Sequence, residues 1–231
     1  MINLIFFTFF IAIIPTILLG YFIYKKDILE KEPIGLLMLL FISGVISTLP
    51  AAAIEQLIMP FIEQISDYTA YIFTLSFIGV ALVEELCKAL LTYEICWKNK
   101  NFNYVYDAIV YCVFTSLGFA TLENVLYVTA FGMQAAVLRA IVSVPAHAFF
   151  GVSMGYYMGI AKYHQKANEN KKKYINIVLS LIIPVTLHGI FDFLLLTNSE
   201  TMVIIFFVFV LFMYIISYLK VKKHSKNFST L

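Results

Sequence analysis

Seven ionisable side chains stand inside apolar stretches of this 231-residue chain: Glu84, Glu85 and Lys88, then Glu123, then His147, then His188 with Asp192. Carboxylates and imidazoles are the groups that take up and release protons near neutral pH, and a neighbouring ammonium balances their charge. Two adjacent buried acids beside one ammonium need not share one task. One can pair with Lys88 while the other serves as a general base on water, with an imidazole polarising a carbonyl or holding an oxyanion. That is the equipment for hydrolysing a peptide bond without an obligatory covalent intermediate. A zinc reading uses the same atoms, because His147, His188 and a carboxylate would leave one coordination position open for water. No His-Glu-x-x-His helix is present to favour it. Carboxylate and histidine chains at mid-membrane depth also relay protons in ion-coupled transporters, although those show repeated halves and none is visible in this sequence. A non-catalytic scaffold or immunity-type protein could keep the same cluster for packing. Pocket access separates that reading from hydrolysis.

The elements that must position these groups follow from composition. Hydrophobic residues make up 61% of the chain and charged residues 13%, with mean hydropathy +0.89, about half the charge of an ordinary soluble domain. Apolar runs of about 20 residues predict transmembrane helices, since a bilayer-spanning backbone must satisfy its own hydrogen bonds and the alternation of barrel strands is missing. Seven spans are expected, over residues 2–24, 34–54, 69–96, 105–130, 133–161, 175–196 and 202–219. The predicted fold is an all-α polytopic membrane bundle forming one domain over residues 1–231, with its site-bearing core at about 69–196.

Charge sets the expected orientation. Lys25, Lys26 and Lys31, then Lys98 and Lys100, then Lys162, Lys166 and Lys171 to Lys173, then Lys220, Lys222, Lys223 and Lys226 follow alternate spans, whereas Glu55, Glu63, Asp67 and Glu200 fall on the other side. Lysine accumulates on the cytoplasmic side, so the N-terminus is expected outside and the C-terminus inside. A net charge of +2 gives no reason to expect nucleic acid as a partner. Cys87, Cys96 and Cys112 match no zinc spacing and no disulfide framework. The first segment lacks a basic leader and a small-residue cleavage site, and reads as a retained helix.

Helical spacing joins the polar groups. Lys88 lies three and four residues from the two glutamates, His188 and Asp192 are four apart, and Phe119 shares a face with Glu123. Arg139, Ser143, His147, Gly151, Gly155 and Gly159 recur every fourth residue, which puts His147 on the face with the smallest side chains and the closest helix packing. Span direction puts Glu84, Glu85 and His188 near mid-depth and Glu123 with Asp192 nearer the outer surface. Asp192 is expected to orient an imidazole and Lys88 to act as a charge partner. Arg139, Asp107 and Glu94 are expected to be interfacial or snorkelling residues.

The ordered set Glu84-Glu85-Leu-Cys-Lys88, Phe119-Ala-Thr-Leu-Glu123-Asn124, Ala146-His147-Ala148 with Gly151, and His188-Gly-Ile-Phe-Asp192 resembles the PrsW family of intramembrane proteases. It is also similar, more distantly, to the CAAX prenyl endopeptidase and bacteriocin-immunity superfamily. Relative to those enzymes it departs at Glu123, where they carry histidine, and at Lys88, where their basic residue comes one position later. The resemblance implies an endopeptidase of bacterial cytoplasmic membranes, cutting a single-span membrane protein near the outer face. The typical substrate is an anti-sigma factor, cut first in the response to envelope stress. It also implies that Glu84 and Glu85 are the essential pair and that His147 and His188 are motif histidines. A charge network of Glu123 with Lys88 favours a metal-free, glutamic-type site with no cofactor, zinc being the alternative.

Overall fold

The computed structural model describes residues 2–28, 30–197 and 199–225. Among them the chain is all helix: α1 (Ile2–Lys26), α2 (Ile34–Ile62), α3 (Tyr68–Thr74), a π-helical turn (Leu75–Ala81), α4 (Leu82–Cys96), α5 (Val105–Ile141), α6 (Ser143–Lys166), α7 (Asn170–Leu196) and α8 (Glu200–His224). Six rods are long and apolar enough to cross a membrane, with α3, the π turn and α4 counting as one rod, Tyr68–Cys96. α1 is a further helix of 25 residues. The bundle expected from hydropathy is therefore present, and this is a multi-pass membrane protein.

α6, α7 and α8 each extend about five residues past an expected end, to Lys166, from Asn170 and to His224, and two larger differences bear on the cavity. The turn foreseen between residues 130 and 133 is a single non-helical residue, Gly132, at φ 78° and ψ −163°, after which residues 133–141 continue as helix. Only glycine adopts that backbone readily, so the break sits where the sequence permits it. A second break at Val142 starts α6 afresh. Helix α2 also runs past its expected end at 54 to Ile62, which turns Glu55 from a loop residue into a helical one.

Helix α5 is the centre of the bundle, and every residue from 105 to 113 is buried. Small residues explain how neighbours reach it. A Cβ added at Gly151, Gly155 or Gly159 of α6 would collide with the backbone carbonyl of Cys112, Ala108 or Val105, and one at Gly44 or Gly118 would collide with the Thr115 or Phe41 carbonyl and force α2 and α5 apart. Inside lipid, where apolar burial gives no driving force between helices, such close packing is the main source of association. The outward faces carry Leu49, Leu57, Leu90, Ile204, Val208 and Leu211, all exposed, as a lipid-facing surface requires.

Asp107 is not a snorkelling residue. It is buried at the start of α5, where its Oδ2 accepts from the backbone N–H of Asn103 (2.8 Å) and Tyr104 (2.7 Å). Those donors have no intrahelical partner, and a first-turn carboxylate satisfies them and complements the helix dipole. Glu94 is exposed, as expected.

Candidate functional site

The π turn at Leu75–Ala81 immediately precedes Glu84 and Glu85. One residue more per turn than an α-helix rotates everything after it, and such bulges recur at functional sites. Here it delivers Glu84, Glu85 and Lys88 into the bundle, all buried. The Lys88 ammonium has three N–H donors and three partners: Glu84 Oε2 at 3.1 Å, Glu85 Oε1 at 2.7 Å and His147 Nδ1 at 3.2 Å. The Phe119 ring lies 4.1 Å away on α5, adding a cation–π contact. Removing an ammonium and two carboxylates from water is tolerable only with this degree of pairing.

His147 lies one turn into α6, next to the break at Val142. Its Nδ1 faces Lys88, which can only donate, so that nitrogen accepts. Its Nε2 therefore carries the proton and donates to Glu123 Oε2 at 2.8 Å. Glu123 is gripped in turn by Arg139, whose Nη2 is 2.8 Å from Oε1. Arg139 was expected at the interface. After the break at Gly132, residues 133–141 bring its guanidinium to Glu123, where it stacks 3.9 Å from the Tyr127 ring.

His188 of α7 faces acids on both sides. Nδ1 is 3.0 Å from Glu85 Oε1 and Nε2 is 3.3 Å from Asp192 Oδ2. Both ring nitrogens must donate to satisfy both acceptors, so the ring is held as an imidazolium. Phe150 of α6 stacks on it at 4.6 Å, and the two imidazoles lie edge to face at 5.3 Å. All seven residues singled out in the sequence thus join one connected network across α4, α5, α6 and α7.

A cavity of about 390 Å³ opens onto this network. Glu84, Glu123, His147, His188 and Asp192 line it, whereas Glu85 and Lys88 lie behind them. Thr48, Ala52 and Glu55 of α2 form another wall, and Tyr127, Arg139 and Ser143 also line the cavity. Of these, Glu55, Tyr127 and Ser143 escaped the search of the sequence for site residues. The spacing Thr48, Ala52, Glu55 marks one helix face, but nothing in the sequence tells that face from the lipid side.

One donor atom each from Glu84, Glu85, His147 and His188 lies within 4.8 Å of the others. Imidazole and carboxylate are the ligands zinc takes, and the second oxygen of Glu85, Oε2, is buried with no hydrogen-bond partner. The residues present therefore fit a divalent metal. The Lys88 ammonium contacts three of the same four side chains, so a metal held there would require Lys88 to withdraw or give up its proton.

The model of the PrsW family intramembrane metalloprotease matches residues 32–219. The chain belongs to the PrsW family. Among curated relatives named Protease PrsW, that of Clostridioides difficile is 36% identical, the match covering 95% of this chain and 93% of the relative. The Oceanobacillus iheyensis relative is 37% identical over 94% of this chain and 95% of its own length. The Bacillus subtilis relative is 34% identical over 82% and 83%. No solved structure matches the chain. As a PrsW family member it is an intramembrane peptidase.

Proposed function

We propose that Glu84 is the general base and that Glu85 is the anchor of the site. The observation carrying this division is that Glu84 lines the cavity while Glu85, with no exposed surface, holds Lys88 and His188. Water in the cavity gives a proton to Glu84 as its oxygen attacks the scissile carbonyl. His188, with both nitrogens protonated and its Nε2–H held by Asp192 at only 3.3 Å, is the group with a proton to offer the developing oxyanion. His147 has both nitrogens committed, to Lys88 and Glu123, and sets the position of Lys88. Glu84 then returns its proton to the departing amine. Should a divalent metal be bound by Glu84, Glu85, His147 and His188, it would act as a Lewis acid and lower the pKa of its water. The residues above would then bind it and orient the peptide.

The substrate we propose is a single-span membrane protein, an anti-sigma factor cut as the first step of envelope-stress signalling. The family resemblance supports this reading, as does the lysine distribution, from which an N-terminus outside and a site towards the outer leaflet are expected. The test is to compare membrane-protein fragments in cells expressing the natural protein or Glu84→Gln. An anti-sigma factor fragment lost in the variant is the expected outcome, and its presence in both would refute the assignment. Exhaustive chelation separates the two chemistries. Loss restored only by added metal identifies a metalloprotease, and undiminished cleavage identifies a metal-free one.

A further inference from the structure

Every carboxylate lining the cavity is paired except one. Glu84 has Lys88, Glu123 has Arg139 and His147, and Asp192 has His188. Glu55 of α2 is half-buried in the same wall and makes no hydrogen bond or ion pair with any described residue. The charges around it are Glu123, Lys88, His188 and Asp192, and both cations are already committed to acids of their own. Its position is set by helix geometry. Seven residues beyond Thr48, it stands about 10 Å further along α2 on the face that lines the cavity.

We infer that Glu55 is a specificity subsite for a basic side chain of the substrate, a lysine or arginine close to the scissile bond. A carboxylate kept partly out of water without a partner is unfavourable in the empty cavity, and a bound ammonium or guanidinium relieves that while displacing little else. The surrounding charge favours a cation over a neutral donor. Five acids of the cavity and the network behind it, Glu55, Glu84, Glu85, Glu123 and Asp192, face three cations, Lys88, His188 and Arg139, so an incoming acidic side chain is repelled and a basic one attracted. Arg139 makes its ion pair with Glu123 and none with Glu55.

The inference rests on the cavity being the catalytic one, and the test keeps the two apart. Single-span reporters carrying Lys, Ala or Glu at each of ten juxtamembrane positions are co-expressed with the natural protein, Glu55→Gln, Glu55→Lys or Glu84→Gln, and cleaved bonds are read by mass spectrometry. The natural protein should cleave a Lys-bearing reporter about tenfold better than its Ala counterpart at one position. The ratio should fall to near one in Glu55→Gln and turn in favour of Glu in Glu55→Lys. A ratio near one in the natural protein, or a Glu55→Gln effect that lowers all reporters equally and leaves the ratio intact, overturns the subsite. Undiminished cleavage by Glu84→Gln instead overturns the catalytic assignment of the cavity, and the subsite with it.

Discussion

Replacing either glutamate of the pair by glutamine removes one charge and keeps the shape, yet the two substitutions should fail in different ways. Glu84 faces the cavity, and its one ionic contact within hydrogen-bond reach is Lys88 at 3.1 Å. Glu84→Gln should lower cleavage by about 10²- to 10⁴-fold, the usual worth of a positioned general base. Its stability cost should stay near ~1 kcal/mol, because the amide oxygen can still accept from Lys88 and Glu85 still balances that ammonium. Glu85 has no exposed surface and holds two cationic groups at once, Lys88 at 2.7 Å and His188 at 3.0 Å. Its neutralisation leaves buried positive charge undercompensated, which costs about 3–5 kcal/mol when one partner of a buried pair is removed. Glu85→Gln should therefore lose activity together with stability. The assay is denaturant unfolding in detergent micelles followed by tryptophan fluorescence, beside reporter cleavage at matched expression. Equal stability of the two variants, or full cleavage by Glu84→Gln, would refute the division of labour.

Three further outcomes follow from the same contacts. Arg139→Met should reduce kcat about tenfold to a hundredfold with KM little changed, because Arg139 acts through Glu123 on His147, and Arg139→Lys should restore much of the loss. Steady-state kinetics on a reporter decides it, and a change confined to KM would contradict a positioning role. Gly155→Val should destabilise the bundle by about 1–3 kcal/mol or more, since a Cβ there meets the Ala108 carbonyl, while Gly35→Ala, with nothing near its Cβ, should be close to neutral. In the loop between α1 and α2, burial pushes Glu32 up to about 8 and Asp27 up to about 6. The folded loop keeps protons that an unfolded chain releases near pH 4, so its stability is highest in acid. It falls as pH rises through about 6 for Asp27 and about 8 for Glu32, and levels off above that. Hydrogen exchange of residues 27, 28 and 30–32 should accelerate between about pH 4 and pH 8 beyond the intrinsic chemical rate, and Glu32→Gln should remove most of that excess. An unchanged excess in the variant would refute the role of Glu32.

The reach of sequence reasoning differs sharply between the fold and the site. Long apolar runs admit one physical solution in a bilayer, so the helical bundle and most span boundaries were legible from hydropathy. The four-residue stripe ending in Gly151, Gly155 and Gly159 foretold the close contact of α6, and the structure supplies α5 as its partner. Ionisable residues in those runs are costly, so Glu84, Glu85, Lys88, Glu123, His147, His188 and Asp192 stood out before any coordinate was known. Arg139 and Glu55 were not legible as cavity residues, for a common reason. Both fall near the ends of the spans expected from hydropathy or in the segments between them, where charge is cheap and carries no signal. Only a glycine break in α5 and an extra two turns of α2 bring them to the cavity.

By itself, then, the sequence determined which side chains must be hidden from lipid and which helices carry them, because that follows from local composition and the solvent around it. Tertiary structure decided how they face one another. It set Lys88 between Glu84, Glu85 and His147, put Glu84 at the cavity wall and Glu85 behind it, and turned Glu55 inward without a partner. Those relations depend on the rotation and depth of one helix against another. These are fixed by packing, by a π turn and by a backbone break, and no spacing along a single helix records them.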